Sequence, residues 1–285
     1  MSSADLRTEL LIPSFNRLGV LANTVKQVRS LYPYLRICLG LQGEMPGEEF
    51  QEEVDNDPGI RVEKLPAPGT TRTLNYCILS SDADIILIMD DDAIPCPGWL
   101  EAHLAAFADD PDLLYTAGRE MRVTKKRSAV AELLSVIAER TIGVAVGADK
   151  RALGRIVGWT DSIGLIFGNF DNEGTCLINS PRGCNMAVRK ELFVKTGGFR
   201  EEFVGNAWGF EADFGLRAAR QGDLGRFIGA AAVIHHETAS GGSREKGKMD
   251  WFRDFYANHR VLMRELGPAG WIGATPRLLK RYLFG

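Results

Sequence analysis

The segment IILIMDDD, residues 85–92, restricts the fold of this chain more than any other feature. Its first five residues are all apolar, which is typical of a strand buried on both faces at the centre of a parallel sheet. Three aspartates follow at once. Because like charges this close raise one another's pKa unless a cation or many hydrogen-bond donors lie among them, we expect something positive beside Asp90, Asp91 and Asp92.

Strand and helix patterns alternate before this segment. Strand patterns occupy residues 9–13, 35–41 and 60–66, and apolar residues recur at helical spacing over 18–31 and 73–81. The alternation predicts an α/β protein with a Rossmann-like open sheet flanked by helices. Ligands of such sheets bind beyond the carboxyl ends of the strands, which is where the three aspartates lie.

The second half of the chain is less regular. A helix is predicted over 129–140, and a glycine-rich tract over 141–178 reads as a binding loop. A strand then leads into a helix that ends at Gly197 and Gly198, and a further helix is predicted within WGFEADFGLRAARQG. The last predicted strand ends in His235 and His236.

The composition excludes some classes of protein. With 285 residues, 45% hydrophobic residues and a net charge of -3, the chain is predicted to be globular and without the basic face of a nonspecific nucleic-acid-binding protein. The five cysteines have no CxxC or Cys/His spacing, which predicts reduced, mostly buried thiols.

Two features bear on location. The N-terminus lacks the basic and apolar regions of a signal peptide, and the longest apolar stretch, 129–147, contains Glu132, Glu139 and Arg140 and is too polar to span a bilayer. We therefore expect a cytoplasmic protein, with peripheral association at the inner face of the membrane left open.

The aspartates could serve several purposes. A calcium-binding EF-hand loop fails, because Ile94 and Pro95 stand where it needs a ligand and a glycine. A helix N-cap needs only one aspartate. A divalent cation that holds a diphosphate uses all the charge, since Mg²⁺ and Mn²⁺ prefer hard oxygen ligands.

Six motifs carry a family resemblance. In chain order they are IPSFNR, GTTRTLN, IMDDDAIPCPGWL, GCNMAVRKELFVKTGGF, WGFEADFGLR and VIHHETAS, spread over residues 9–240. Together the motifs resemble glycosyltransferase family 2, the inverting sugar-nucleotide transferases of the GT-A fold. The resemblance implies transfer of a sugar from a nucleotide-sugar donor to a hydroxyl acceptor, whether glycan, lipid-linked or small molecule.

The resemblance also implies a division of the chain. Residues 1–116 would form the half that binds the nucleotide sugar, 117–242 the half that binds the acceptor and carries the catalytic residues, and 243–285 a C-terminal helical extension.

Donor-binding residues follow from matching positions in these motifs. The resemblance places the segment with Pro13, Phe15 and Arg17 against the nucleotide, and Arg72 at its diphosphate or base, which suits a guanidinium. Asp90 and Asp91 belong to the DxD motif, with Asp90 nearer the ribose. One position departs from the family: Gln42 stands near the usual base-recognising acid, so the base need not be uracil.

The metal and the general base are also implied. Asp92 would bind Mn²⁺ or Mg²⁺, joined by His235 or His236, of which strand alternation allows only one. The WGFEADF segment would supply a carboxylate that accepts the proton of the acceptor hydroxyl. Glu211 is preferred, and Asp213 stays open because Ala212 breaks the usual Glu-Asp pair.

Alternatives remain at this stage. One alternative is a retaining glycosyltransferase of the GT-A fold, since some of these enzymes share a tryptophan-glycine-acid segment. A sugar-phosphate nucleotidyltransferase is disfavoured because PSFNRLG has a single glycine for a triphosphate loop, and a non-catalytic carbohydrate-binding relative is disfavoured because the acidic residues are all present.

The C-terminal tail mixes apolar and basic residues. Trp271, Ile272 and Leu279 stand among Arg277, Lys280 and Arg281. Such a segment could lie weakly on an anionic membrane. The favoured interpretation is that it folds back over the protein or over a partner in a homodimer.

Overall fold

The computed structural model describes residues 6–43, 47–123, 154–236 and 247–284, together with the isolated positions 133, 136, 137 and 139. Of the helix predicted over 129–140, the structure describes only these four positions, and each is helical. In chain order the elements are β1 (Thr8–Phe15), α1 (Leu18–Leu31), β2 (Arg36–Gln42), α2 (Glu48–Asp55), β3 (Ile60–Leu65), α3 (Thr70–Ser80), β4 (Ile85–Met89), β5 (Ala93–Pro95), α4 (Trp99–Asp109), β6 (Tyr115–Arg122), β7 (Trp159–Thr160), β8 (Ile166–Phe167), β9 (Thr175–Ile178), β10 (Asn185–Arg189), α5 (Lys190–Lys195), α6 (Phe210–Arg220), β11 (Gly225–His235), α7 (Lys248–Leu266) and α8 (Trp271–Phe284).

Within the described residues, nine strands form one mixed sheet. Its order is β3-β2-β1-β4-β10-β6-β11-β5, and β9 pairs with β11. The first four strands in this order are parallel, whereas β10 runs antiparallel to both β4 and β6. The sheet is continuous across residue 116, because β6 itself spans this position and β10 from the second half of the chain pairs with β4 from the first.

Both faces of the central strands are buried, as the all-apolar run of β4 predicts. On β1, Leu10 and Ile12 belong to one core cluster and Leu11 to the other, because successive side chains alternate between faces. The first cluster includes the apolar faces of α1 and α4, and the second those of α3, α5 and α6. This layering leaves the carboxyl edge of the central strands as the open edge.

The side chain of Asn185 links the antiparallel strand β10 to β6 and β11 by hydrogen bonds. Its side-chain amide donates hydrogen bonds to the carbonyl oxygens of Arg119 (3.0 Å) and Ala231 (2.8 Å), and its oxygen accepts one from the Trp99 indole (2.8 Å). A Cβ at Gly118 would lie 2.0 Å from the Ala231 oxygen. Glycine at 118 therefore permits the close approach that this network needs.

The C-terminal helices pack onto the second half of the domain. Leu278 and Ala274 of α8 are buried in a cluster with Leu262 of α7 and Ala212 of α6. The Arg277 guanidinium donates to the carbonyl oxygen of Gly164 (2.7 Å). These contacts match the fold-back that the sequence favours for the tail.

The other side of α8 faces solvent. Ile272, Leu279, Tyr282 and Leu283 are exposed. Among the described residues, no helix is both long and apolar enough to cross a membrane.

Candidate active site

A cleft of about 830 Å³ opens at the carboxyl edge of the central strands. Its size lies within the range usual for small-molecule sites. Ten of the twelve predicted site residues line it: Pro13, Phe15, Arg17, Gln42, Arg72, Asp90, Asp91, Asp92, Glu211 and His235. The sequence motifs therefore converge in space, and the two exceptions are Asp213 and His236.

Asp91 is a buried structural residue of this cleft. Its carboxylate accepts a hydrogen bond from the Ser14 hydroxyl (2.6 Å) and pairs with Arg17, and its carbonyl oxygen accepts one from the Thr24 hydroxyl (2.6 Å). Burial raises the pKa of Asp91 to about 7, although Arg17 and Ser14 oppose that rise. These contacts hold the aspartate segment against β1.

Arg17 is one of the positive groups that the three aspartates require. It pairs with Asp91 and also with Asp92, whose carboxylate lies 3.0 Å from its guanidinium. The sequence predicted Arg17 as a nucleotide-binding residue, and the structure places it in the cleft as a counter-charge to two carboxylates.

His235 is the second positive group. The short strand β5 pairs antiparallel with the end of β11 so that Ala93 lies opposite His235. This register brings the His235 Nε2 to 3.0 Å from Asp92 and 3.8 Å from Asp90. Burial alone would lower the pKa of His235, but hydrogen bonds with its acidic neighbours and with the Cys184 sulfur raise it to about 12.

Glu120 orients that histidine and was missed by the sequence analysis. Its carboxylate accepts a hydrogen bond from the His235 Nδ1 (2.7 Å) and pairs with Arg122 and Arg182. Burial would raise the pKa of Glu120, but the bond from His235 and the two arginines lower it to about 2. An acidic residue inside the strand pattern YTAGREMR was the available signal.

His236 turns away from the carboxylate cluster. Its side chain is exposed, and its backbone NH donates to the Asp92 carbonyl oxygen (2.9 Å). Strand alternation thus separates the two histidines as expected, and His235 is the one that faces Asp92.

Asp90 faces the open cleft. Its carboxylate is 42% exposed, yet the surrounding walls desolvate it enough to raise its pKa to about 6, a rise that His235 opposes. Two carboxylates and one imidazole nitrogen therefore converge here. Such oxygen and nitrogen donors suit Mn²⁺ or Mg²⁺, so Asp90, Asp92 and His235 fit a divalent cation.

Glu211 lies across the cleft in the first turn of α6. Gly209 precedes the helix with φ of +92°, a left-handed conformation that favours glycine and that directs the first turn of α6 into the cleft. The Glu211 carboxylate accepts a hydrogen bond from the Gly183 backbone NH (3.0 Å). Burial raises the pKa of Glu211, which is the shift expected of a carboxylate that accepts a proton near neutral pH.

Asp213 has a different environment. Its side chain is fully buried and paired with Arg200 (2.7 Å) and Arg217 (2.9 Å). The structure thus places Asp213 outside the cleft, against the alternative in which it accepts the substrate proton. Its arginines also donate to Glu265 of α7 and to the Thr196 and Gly198 carbonyl oxygens, so Asp213 ties α6 to its neighbours.

Gln42 and Arg72 lie at the end of the cleft formed by β1 and β2. The Gln42 side-chain oxygen accepts a hydrogen bond from the Gly69 backbone NH (2.5 Å), which fixes the turn before α3. Arg72 follows in the first turn of that helix, half-exposed and 3.6 Å from Glu201. Its guanidinium is therefore accessible from the cleft.

Comparisons with known proteins agree with this architecture. A family model described as glycosyl transferase family 2 matches residues 9–142. Chondroitin synthase from Escherichia coli is 25% identical over 80% of the chain, and hyaluronan synthase from Pasteurella multocida is 25% identical over 80%. The chain spans only 34% and 24% of the lengths of these two relatives.

Solved structures share the fold. GalNAc-T7, determined with UDP, GalNAc and Mn²⁺, aligns with a TM-score of 0.64 at 13% identity and covers 90% of this chain and 47% of its own. The mannosyltransferase PcManGT from Pyrobaculum calidifontis, in complex with GDP-Man and Mn²⁺, aligns with a TM-score of 0.59 at 16% identity, covering 97% and 73%.

The mixed sheet, its flanking helices and the cleft at its carboxyl edge define a protein of the GT-A glycosyltransferase fold. Over residues 9–142 the chain matches the model of glycosyl transferase family 2.

Proposed function

We propose that this protein is a metal-dependent glycosyltransferase that moves a sugar from a nucleotide-sugar donor to a hydroxyl acceptor with inversion. The observation that carries the proposal is the arrangement of one cleft, in which Asp90, Asp92 and His235 lie together and the Glu211 carboxylate lies in the facing wall. The structural neighbours bind UDP, GDP-Man and Mn²⁺, which supports the same donor class here.

Donor binding is assigned to one end of the cleft. Pro13 and Phe15 end β1 beside β2, where the base and ribose would lie, and Arg72 would contact the diphosphate. A bound Mn²⁺ or Mg²⁺ held by Asp92 and His235 would stabilise the negative charge that develops on the leaving diphosphate.

Glu211 is assigned the role of general base. The acceptor oxygen forms a bond to the anomeric carbon, the bond from that carbon to the diphosphate oxygen breaks, and the hydroxyl proton passes to the Glu211 carboxylate. The Gly183 NH holds the carboxylate in place, and burial raises the pKa of Glu211, which is the direction that favours proton acceptance.

The acceptor is proposed to be a glycan. Both sequence relatives are named as synthases of polysaccharides, and each is about a quarter identical in sequence. Trp208 and Trp251 also line the cleft, and their ring edges would contact a sugar there, because His259 stacks on Trp208 and Arg281 lies over Trp251.

The test is release of nucleoside diphosphate from a panel of UDP- and GDP-sugars, with and without Mn²⁺ and short glycan acceptors. At least one donor is expected to be consumed only when Mn²⁺ is present, with a glycosidic product of inverted configuration. The control variant is Glu191→Gln, which changes an exposed acid on α5. It should release nucleoside diphosphate at the same rate as the parent protein. Failure to consume any donor, or a metal-independent rate, would contradict the proposal.

A further inference from the structure

Cys184 places a sulfur atom beside the proposed cation site. The residue comes directly before β10, is 3% exposed and lines the cleft. The Cys184 sulfur, an Asp90 carboxylate oxygen and a His235 ring nitrogen all lie within 4.8 Å of one another. Neither the family resemblance nor the proposed transfer reaction gives this sulfur a role.

The donor set at these three residues differs from that of a magnesium site. Thiolate sulfur prefers softer cations such as Zn²⁺ and Cd²⁺, and a site with nitrogen, oxygen and sulfur donors generally binds Zn²⁺ more tightly than Mn²⁺. The Cys184 sulfur as a ligand would therefore favour a softer cation over Mn²⁺ or Mg²⁺, the hard cations of the proposed transfer reaction.

The geometry points to a second mode of cation binding. We propose that Asp90, Cys184 and His235 bind a thiophilic divalent cation of the Zn²⁺ class, which displaces Mn²⁺ and inhibits the enzyme. Bond lengths of about 2.0–2.3 Å place the donors of one zinc ion roughly 3.3–3.8 Å apart. Asp90 and His235 are already 3.8 Å apart, so small side-chain rotations are sufficient.

Zn²⁺ and Mn²⁺ cannot occupy the site together, because both would use the same His235 nitrogen. The His235 Nδ1 is bonded to Glu120, which leaves Nε2 as the ring nitrogen that faces Asp90 and Asp92. One nitrogen binds one ion, so a zinc ion that uses His235 with Cys184 takes this ligand from Mn²⁺. No electron transfer is involved: the proton on the Cys184 sulfur and that on Nε2 pass to solvent as the ion binds.

The consequence for activity depends on the proposed transfer reaction, whereas cation binding itself does not. The two are separable because Cd²⁺ bound to thiolate absorbs in the ultraviolet without any substrate.

The first experiment titrates the full-length protein with Cd²⁺ and records this sulfur-to-cadmium absorption. The parent and Cys96→Ser, which removes the more exposed cysteine outside the cleft, should both show a saturable band that Zn²⁺ abolishes. Cys184→Ser replaces sulfur by oxygen at nearly the same size and should lose the band. An undiminished band in Cys184→Ser would overturn the proposal.

The second experiment measures Mn²⁺ release by electron paramagnetic resonance of free Mn²⁺ as Zn²⁺ is added. Zn²⁺ should release Mn²⁺ from the parent at concentrations at least about tenfold lower than from Cys184→Ser. Cys184→Ala gives the same comparison if the serine variant does not fold. Equal release from parent and variant would reject the sulfur ligand. A cadmium band in a protein that binds no Mn²⁺ would support the sulfur site and contradict the proposed function.

Discussion

The Asp92 carboxylate and the His235 imidazole meet at 3.0 Å although 143 residues separate them in the chain. Pairing of β5 with β11 sets this distance, because Ala93 lies opposite His235 and the residue before Ala93 is Asp92. The contact joins the two halves of the domain at the point where the proposed cation would bind.

Glu120 should control the affinity of the site for Mn²⁺ through His235. Glu120→Gln keeps the size of the side chain but weakens the bond that fixes the imidazole, and such partners of metal-binding histidines typically change affinity by about 10- to 100-fold. Free Mn²⁺ measured by electron paramagnetic resonance gives the affinity. Glu173→Gln, which alters an exposed acid, is the matched control. Equal Mn²⁺ affinity in Glu120→Gln and the parent would show that Glu120 does not influence the cation site through His235.

Substitutions of Glu211 and Asp213 should have different effects, the first on turnover and the second on stability. Glu211→Gln should lower turnover by about 10²-fold or more while donor affinity stays near that of the parent, because a general base acts only in the chemical step. Asp213→Asn should instead reduce the free energy of unfolding, by up to about 3 kcal/mol, since Arg217 loses its carboxylate partner and Arg200 keeps only Glu265.

Steady-state kinetics and urea unfolding of both variants make this comparison. A folded Asp213→Asn protein with the larger loss of turnover would reverse the assignment of the two acids.

His103 should make stability sensitive to acid. It is fully buried, with one ring nitrogen 2.7 Å from the Thr116 hydroxyl and the other 3.1 Å from the Asn185 oxygen. Burial lowers the pKa of His103 to about 4, although the Asn185 hydrogen bond opposes this. Between about pH 6.5 and 4 the unfolded chain therefore binds a proton that the folded protein does not, and stability falls as pH falls.

The measurement is the free energy of unfolding against pH for the parent and for His103→Gln. The parent slope should be steeper by up to about 1.4 kcal/mol per pH unit inside that window, and the slopes should agree above pH 7. Taking the difference removes the opposing effect of carboxylates whose pKa is raised by folding, such as Asp90 and Asp91. Parallel curves throughout would show that His103 is not neutral in the folded protein.

Adjacent leucines of α8 test how the C-terminal tail packs. Leu278 is 9% exposed and Leu279 is 56% exposed. Leu278→Ala should lower the free energy of unfolding by about 2–3 kcal/mol because it leaves a cavity against α7, whereas Leu279→Ala should change it by about 0.5 kcal/mol or less. Urea denaturation resolves the two values. Equal and small effects would mean that α8 does not pack on the domain in solution.

Much of the fold follows from local sequence. The apolar run of β4 and the spacing of α1 predict their own structure, and α1 spans Leu18–Leu31 as the pattern indicates. The tract over 141–178 is harder to predict, because two of its three described strands, β7 and β8, are two residues long and are defined by their pairing with each other rather than by propensity.

The candidate site was predictable only where a motif marks it. Three adjacent aspartates predict a positive group beside them. The sequence does not show that Arg17, 75 residues before Asp92, is one such group. Likewise, Glu211 and Asp213 are two residues apart and similar in chemistry. Only the tertiary arrangement of Gly183 beside one and two arginines beside the other distinguishes them.

Metal-dependent donor binding is tested by the Mn²⁺ dependence of nucleotide-sugar binding, measured as the shift in thermal unfolding temperature for the parent and Asp92→Asn. A ligand that binds only the folded state stabilises it by an amount set by its concentration and affinity. We expect at least one UDP- or GDP-sugar to raise the unfolding temperature of the parent only with Mn²⁺, and we expect Asp92→Asn to lose this shift while its unfolding temperature without ligand is retained. A shift of equal size in parent and variant, or one that persists when Mn²⁺ is chelated, would show that donor binding does not use a cation held by Asp92.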